Sequence, residues 1–218
     1  GEITNRADLV IFWGCHPAAS HPRHADRYSA NATGKYVPAG RADRTVVMVG
    51  DDSAVHDWRL DPAGAQADLV VPIELGRDFE ALAMLRMMLN GQKVEGAPQE
   101  LRQLFDLMRS AHYGVVFFGL GIAETSMWDG LPHQQIGHIN VAALLKLVAE
   151  LNAVTRFTAR RMRLQGDVSG ADSVMQWQTA YPFAVDLSRG YPRYNPGEYT
   201  ANELLAQQEV DACLLLGA

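Results

Sequence analysis

The sequence predicts an α/β fold, doubly wound, with mostly parallel sheets and helices on both faces. Three observations carry this. Six short apolar runs are continuous rather than alternating, as strands covered on both faces are. Helical patterns lie between several of them, and strand–helix alternation is what parallel crossovers need. The chain has 218 residues, enough for one large core or two small ones.

The predicted strands are residues 9–13, 45–49, 69–73, 115–118, 155–158 and 212–216. The helix predicted over 78–89 repeats apolar residues at i, i+3 and i+4 and stops at Asn90-Gly91. Residues 99–112 and 141–151 follow the same pattern. A further helix over 200–208 starts at Thr200, a good N-cap, and leads into the last strand. Ala-Asp-Leu-Val occurs twice, at Ala7 to Val10 and Ala67 to Val70, and reads as a shared way of entering a buried strand. The polar segment 91–98 carries two glycines and a proline and is the expected boundary between a first subdomain, 1–92, and a second, 93–218.

Residues 159–200 show little periodicity. Within them, the run 177–200, WQTAYPFAVDLSRGYPRYNPGEYT, holds six aromatics, three prolines and two glycines. That many breakers exclude a helix or a long strand. It reads as a long loop held in shape by aromatic packing, and such loops are usually functional or interfacial.

Composition narrows the function classes. A net charge of −6 argues against general nucleic-acid binding. No apolar run approaches the roughly 18 residues that span a bilayer. Cys15 and Cys213 are the only cysteines, which fits a reducing cytoplasm and excludes a Cys-only zinc or iron–sulfur site within this chain. The absence of an initiator Met and the closing strand read as a piece of a longer chain.

Candidate chemistry clusters where strands end. After the first strand come Gly14, Cys15, His16 and Pro17, then His21 and His24. Loops beyond the carboxyl ends of parallel strands bind ligands in open α/β sheets. Three histidines within nine residues raise a metal, but the spacing matches no zinc pattern and no carboxylate intervenes before Asp26. An anion or cofactor contact is the other functional reading. Cys15 is either a nucleophile near a helix start or a small buried residue. After the second strand, Asp51 and Asp52 either meet a ribose hydroxyl or cap a turn. After the fourth, Gly119 and Gly121 allow close approach of a phosphate or a tight turn, and Glu124 stands where the third fingerprint glycine would be. Arg156, Arg160, Arg161 and Arg163 form a basic run, with Arg189 and Arg193 further on. They read as a solvated face or as a patch for an acidic partner or polyanion. No nucleophile–base–acid set is visible, so no catalytic residue is assigned.

The runs KYVPAGRADRTVVMVG, AHYGVVFFGLG and QTAYPFAVDLSRGYPRYNPGE resemble the B subunit of formylmethanofuran dehydrogenases. The opening NRADLVIFWGCHPAASHPRHADRYS resembles the same family, and the likeness runs from about Asn5 to Gly217. The family is similar to the molybdopterin oxidoreductases, whose domains are of the formate dehydrogenase and DMSO reductase type. The resemblance implies a tungsten or molybdenum bis-pterin guanine dinucleotide in full-length members, with Gly14, Cys15, His16, Asp51, Gly119 and Gly121 near its place. Two departures set this chain apart. Relatives read V-D-P-R-x-T after the second strand, where this chain has Val49-Gly50-Asp51-Asp52-Ser53-Ala54. They carry a GCNP turn, where this chain has His16 in place of the Asn.

These departures resemble the B subunit of the formyltransferase/hydrolase complex of methylotrophic bacteria. The resemblance implies a cytoplasmic hetero-oligomer of formaldehyde oxidation and one-carbon metabolism. Its partners are a hydrolase A subunit, a C subunit and a formyltransferase D subunit. It implies a non-catalytic scaffold without the pterin cofactor, the alternative being a working dehydrogenase subunit that holds molybdopterin guanine dinucleotide. The arginines then face either a partner or the glutamate-rich tail of methanofuran or methylofuran. No metal, nucleic acid or membrane is expected at this chain.

Overall fold

The computed structural model describes residues 1–51, 59–124, 127–128, 131–132, 137–162 and 168–214. Its contacts divide the chain into two compact units, Gly1–Leu164 and Gln165–Ala218.

The first unit is built on five strands, β1 (Leu9–Trp13), β2 (Thr45–Gly50), β3 (Leu69–Pro72), β4 (Tyr113–Phe118) and β7 (Arg156–Arg161). They form one sheet in the order β3-β2-β1-β4-β7, and all four pairings are parallel. A separate two-stranded piece joins β5 (Met127–Trp128) to β6 (Leu131–Pro132). The helices are α1 (Glu2–Arg6), α2 (Pro17–Ser20), α3 (His24–Tyr28), α4 (Asp78–Leu89), α5 (Gln99–Ser110), α6 (Leu120–Glu124) and α7 (Gly137–Leu151).

Two buried clusters sandwich the sheet. Leu9, Ile11 and Trp13 of β1 join Val47 and Val49 of β2 and the apolar faces of α4, α5 and α7. Val10 and Phe12 join Val46, Met48, Val115 and Phe117 on the other side. Side chains alternate along a strand, so a run buried on both sides must be apolar throughout. That is why the strands read as unbroken hydrophobic runs.

The repeated Ala-Asp motif has a physical basis. The Asp8 carboxylate accepts the backbone N–H of His112 at 2.8 Å and of Tyr113 at 2.9 Å, where β4 begins. The Asp68 carboxylate accepts the N–H of Val46 in β2 at 2.7 Å. Each aspartate, placed just before its own strand, satisfies the entry of the neighbouring one. Arg44 has a comparable part. It is 4% exposed, and its guanidinium donates to the carbonyls of Ala7 (2.9 Å), Thr4 (2.7 Å) and Ala32. It ties α1 and the loop after α3 to the sheet.

The second unit contains α8 (Val168–Thr179), a hairpin of β8 (Val185–Asp186) and β9 (Arg193–Tyr194), and α9 (Ala201–Ala206). Thr200 caps α9, its hydroxyl accepting from the Glu203 N–H at 3.5 Å, where the sequence places that cap. None of residues 170–214 is buried.

Three expectations change. The helix α8 occupies part of the stretch read as irregular, so Trp177, Gln178 and Thr179 are a last helical turn and the loop proper starts at Ala180. Residues 212–214 form no strand, and Leu214 is 82% exposed; residues 215 and 216 lie outside the described residues. The division between units falls at residue 164, whereas a boundary at 92 would fall inside one sheet, since β1 pairs directly with β4.

Candidate functional site: the carboxyl edge of the sheet

Chain order reverses between β1 and β4. One connection runs outward from β1 to β2, and the other crosses back to β4. In doubly wound sheets this switch point, at the carboxyl ends of the strands, is where ligands sit. The structure collects all six predicted cofactor-edge residues there. Gly14, Cys15 and His16 follow β1, Asp51 follows β2, and Gly119 and Gly121 follow β4.

The three glycines serve one another. The Gly14 N–H donates to the Val49 carbonyl at 2.9 Å, Gly119 N–H to Trp13 carbonyl at 3.1 Å, and Gly121 N–H to Gly14 carbonyl at 3.0 Å. Gly14 is left-handed, with φ +57°. A Cβ on Gly121 would stand 2.7 Å from the Gly14 oxygen, and one on Gly119 would stand 2.5 Å from the Cys15 Cβ. The two turns are therefore locked together by backbone contact, and glycine is required because nothing larger fits.

Cys15 is partly exposed as a residue, yet its thiol turns inward toward the Phe117 carbonyl at 3.6 Å. Burial pushes its pKa up to about 12, so at neutral pH it is a thiol and a poor nucleophile. The histidines take different parts, although the His21 and His24 rings meet edge to face at 6.0 Å. His24 packs its ring against Phe117 at 4.5 Å and Phe12 at 5.9 Å, and its Nδ1 meets the Ser29 hydroxyl at 2.9 Å. Burial, helped by neighbouring His21, brings its pKa down to about 4. It is a neutral, partly buried histidine. His21 is likewise lowered by burial, and its Nδ1 meets Ser20 Oγ at 2.8 Å. His16 Nε2 is enclosed and has no hydrogen-bond partner among the described residues. Among the described residues no group of three His, Cys, Asp or Glu is placed to hold a metal ion.

An acidic pair that the sequence pattern does not reveal borders the same edge. Asp78, at the start of α4, is buried and accepts the Trp13 indole N–H at 2.7 Å. Burial raises its pKa, the indole bond opposes that, and the Asp51 charge adds to the rise. The signal that could have found it is a tryptophan ending a core strand. Its N–H must find an acceptor when buried, and Asp78 opens the next α-helix that packs on that face.

The predicted basic run divides. Alternation along β7 puts Arg156 and Arg160 on one face of the sheet and Arg161 on the other. Arg156 sits at the opposite end of the strand, in register with Tyr113, near Arg109 and His112 in a shallow cleft of about 640 Å³. Asp52 and Arg163, and the side chain of Glu124, lie outside the described residues. In the second unit Arg193 pairs with Asp186 and stacks over the Tyr199 ring at 4.8 Å, so it serves the hairpin. Arg189 is exposed.

The fold and this edge define a doubly wound α/β unit of the kind that carries nucleotide-like cofactors, here with its switch-point turns closed on each other. In sequence, the chain is similar to the B subunits of formylmethanofuran dehydrogenases. It is 40% identical, over 98% of its length, to the B subunit of tungsten-containing formylmethanofuran dehydrogenase 2 from Methanocaldococcus jannaschii, covering 47% of that protein. It is 35% identical to the counterpart of the same name from Methanococcus maripaludis, over 97% of this chain and 46% of the relative. The chain thus spans about half the length of these relatives. No family model matches it. Among solved structures, a chain of the formyltransferase/hydrolase complex of Methylorubrum extorquens, in complex with methylofuran, shares the fold. The TM-score is 0.52 at 21% identity, over 99% of this chain and 53% of the other.

Proposed function

We propose that this chain is the doubly wound scaffold of a B subunit in methanofuran-linked one-carbon chemistry, working inside a hetero-oligomer rather than as a redox centre. The single observation behind the scaffold reading is the state of the glycine turns. A phosphate-binding turn offers unused backbone N–H groups to the anion. Here the N–H groups of Gly14, Gly119 and Gly121 all donate to protein carbonyls. Asp51 and buried Asp78 place two carboxyl groups at the same edge. These described residues fit a multiply charged pterin dinucleotide poorly, and no step is derived through that group. The carbon-carrier setting rests on the names of the relatives and of the structural neighbour. The assembly is then expected to include hydrolase, C and formyltransferase subunits.

The second reading is a working dehydrogenase subunit, favoured by the two tungsten-containing relatives at 35–40% identity. Metal and pterin analysis of the native complex separates the two. The scaffold reading expects neither molybdenum nor tungsten and no extractable pterin. Stoichiometric metal with pterin would overturn it.

A further inference from the structure

The strand β7 closes the sheet at one end, so among the described residues no strand pairs with its outer side. The Met162 N–H donates to the Phe118 carbonyl, which fixes the phase of the β4–β7 ladder. In a parallel pair, alternate residues turn their N–H and C=O toward the partner. Residues 156, 158 and 160 therefore face β4, and Phe157, Ala159 and Arg161 face outward. Phe157 is already served. The Asn152 side chain accepts its N–H at 3.0 Å and donates to its carbonyl at 2.9 Å, doing what one residue of an added strand would do. Among the described residues, the outward groups of Ala159 and Arg161 have no partner. The edge is thus sealed at one end and bare at the other. Arg160 and Arg161 bracket the bare part, one on each face of the sheet, and neither has an acidic partner among the described residues.

We infer that the bare half of β7 is an assembly edge, where strand addition seats a short extended segment, rich in Asp or Glu, that a different polypeptide of the complex contributes. Pairing comes from backbone bonds to Ala159 and Arg161. Carboxylates on either face of the incoming strand meet Arg160 and Arg161, since opposite charges on paired strands attract. A neutral or basic segment lacks that complement, and arginines flanking an open edge discourage promiscuous pairing. The Asn152 clamp sets the end point: the added strand stops before Phe157. This inference rests on the hetero-oligomeric reading above and is independent of the cofactor question.

Amide hydrogen exchange on the isolated chain and on the native complex tests it. Exchange at Ala159 and Arg161 should slow at least tenfold in the complex, while Phe157 changes little. Ala159→Pro removes an outward donor at a site where an edge strand tolerates proline. That variant and the double reversal R160E/R161E should each weaken assembly of the complex about tenfold or more, with circular dichroism unchanged. Equal exchange at both residues in chain and complex would overturn the inference. So would protection already present in the isolated chain, which would mean that the chain covers its own edge, or protection that appears only on self-association. If the chain co-purifies with no other polypeptide, the hetero-oligomeric reading itself fails. If it assembles with these amides unprotected, only the edge proposal fails.

Discussion

At the scale of single residues, the most instructive feature is how often a polar group is recruited by a neighbour rather than left for chemistry. His24 looks like a metal or anion ligand on paper, three residues from His21 in a loop after a strand. Its place against the stacked rings of Phe12 and Phe117 makes it a neutral, partly buried group. Its folded pKa, about 4, lies below the ordinary histidine value near 6.5. The unfolded chain therefore binds the proton first, and stability falls as pH drops from about 6.5 toward 4. The expected loss is roughly 2–3 kcal/mol across that window. Urea titrations at pH 7 and pH 4.5 should show it, and His24→Phe should flatten the difference. The glycine turns make a second test. Gly121→Ala would press a Cβ against the Gly14 oxygen, backbone on both sides, so it is expected to cost about 2–3 kcal/mol. A thermal midpoint within a degree of the parent would contradict the lock.

At the scale of elements, the core was legible because its physics is periodic. The strands at 9–13, 45–49 and 69–73 needed only unbroken apolar runs, and the helix at 78–89 needed only its 3.6-residue rhythm. The strand at β7 runs three residues past its predicted end because arginine hides a strand from a hydrophobic reading. The helix α8 is hidden for a related reason. Its sequence, VSGADSVMQWQT, carries no apolar stripe facing a core, and propensity alone is a weak signal. The site was legible as a set of strand ends. The contacts that make those ends serve packing rather than ligands were not, because hydrogen-bond partners 65 to 105 residues apart leave no local trace.

Two tests belong to this scale. Arg86 on α4 grips Glu150 on α7 with two bonds, at 2.9 and 2.7 Å. The Arg86 hydrogen bonds hold the Glu150 carboxyl below its ordinary value. Its stabilisation is therefore present above the usual carboxylate range and lost as pH falls through it. The pair is partly exposed, so Glu150→Gln should cost only about 0.5–1 kcal/mol, and less in high salt. A loss unchanged by salt would rule out that account. In the aromatic loop, Ala180 and Ala184 are left-handed, at φ 70° and 48°, on either side of Tyr181, Pro182 and Phe183. Such alanines cost about 1 kcal/mol or more each. Ala180→Gly should therefore raise local protection in amide exchange slightly, whereas Ala171→Gly inside α8 should lower it by about 1 kcal/mol. The same sign at both positions would refute the strain.

At the scale of the whole molecule, the two units are built on different terms. The first has two buried clusters and a sheet covered on both faces. The second has no buried residue across 170–214, and Trp177, at 83% exposure, stands out with Phe183, Leu187 and Tyr191. With no buried residue over that stretch, little offsets its ordering entropy. Its shape comes from local devices: the stacked rings of Tyr181 and Tyr194 at 4.8 Å, the Arg193–Asp186 pair and the Thr200 cap. Its amides should therefore exchange fast in the isolated chain and slow markedly in the native assembly. Equal, high protection in both states would mean that the unit is self-sufficient.

The aspartates ahead of β1 and β3 carry one more consequence, for folding kinetics. A parallel sheet pays loop-closure entropy before its long-range contacts reward it, and β4 joins β1 across about a hundred residues of chain. A one-residue slip in that encounter would exchange the two sets of core side chains. Asp8 accepts from two consecutive amides at the start of β4, so only one alignment satisfies its carboxylate fully. It acts as a registration pin that proofreads the docking of β4. Its loss should show first as slower refolding and mispaired aggregates, and only second as a lower equilibrium stability.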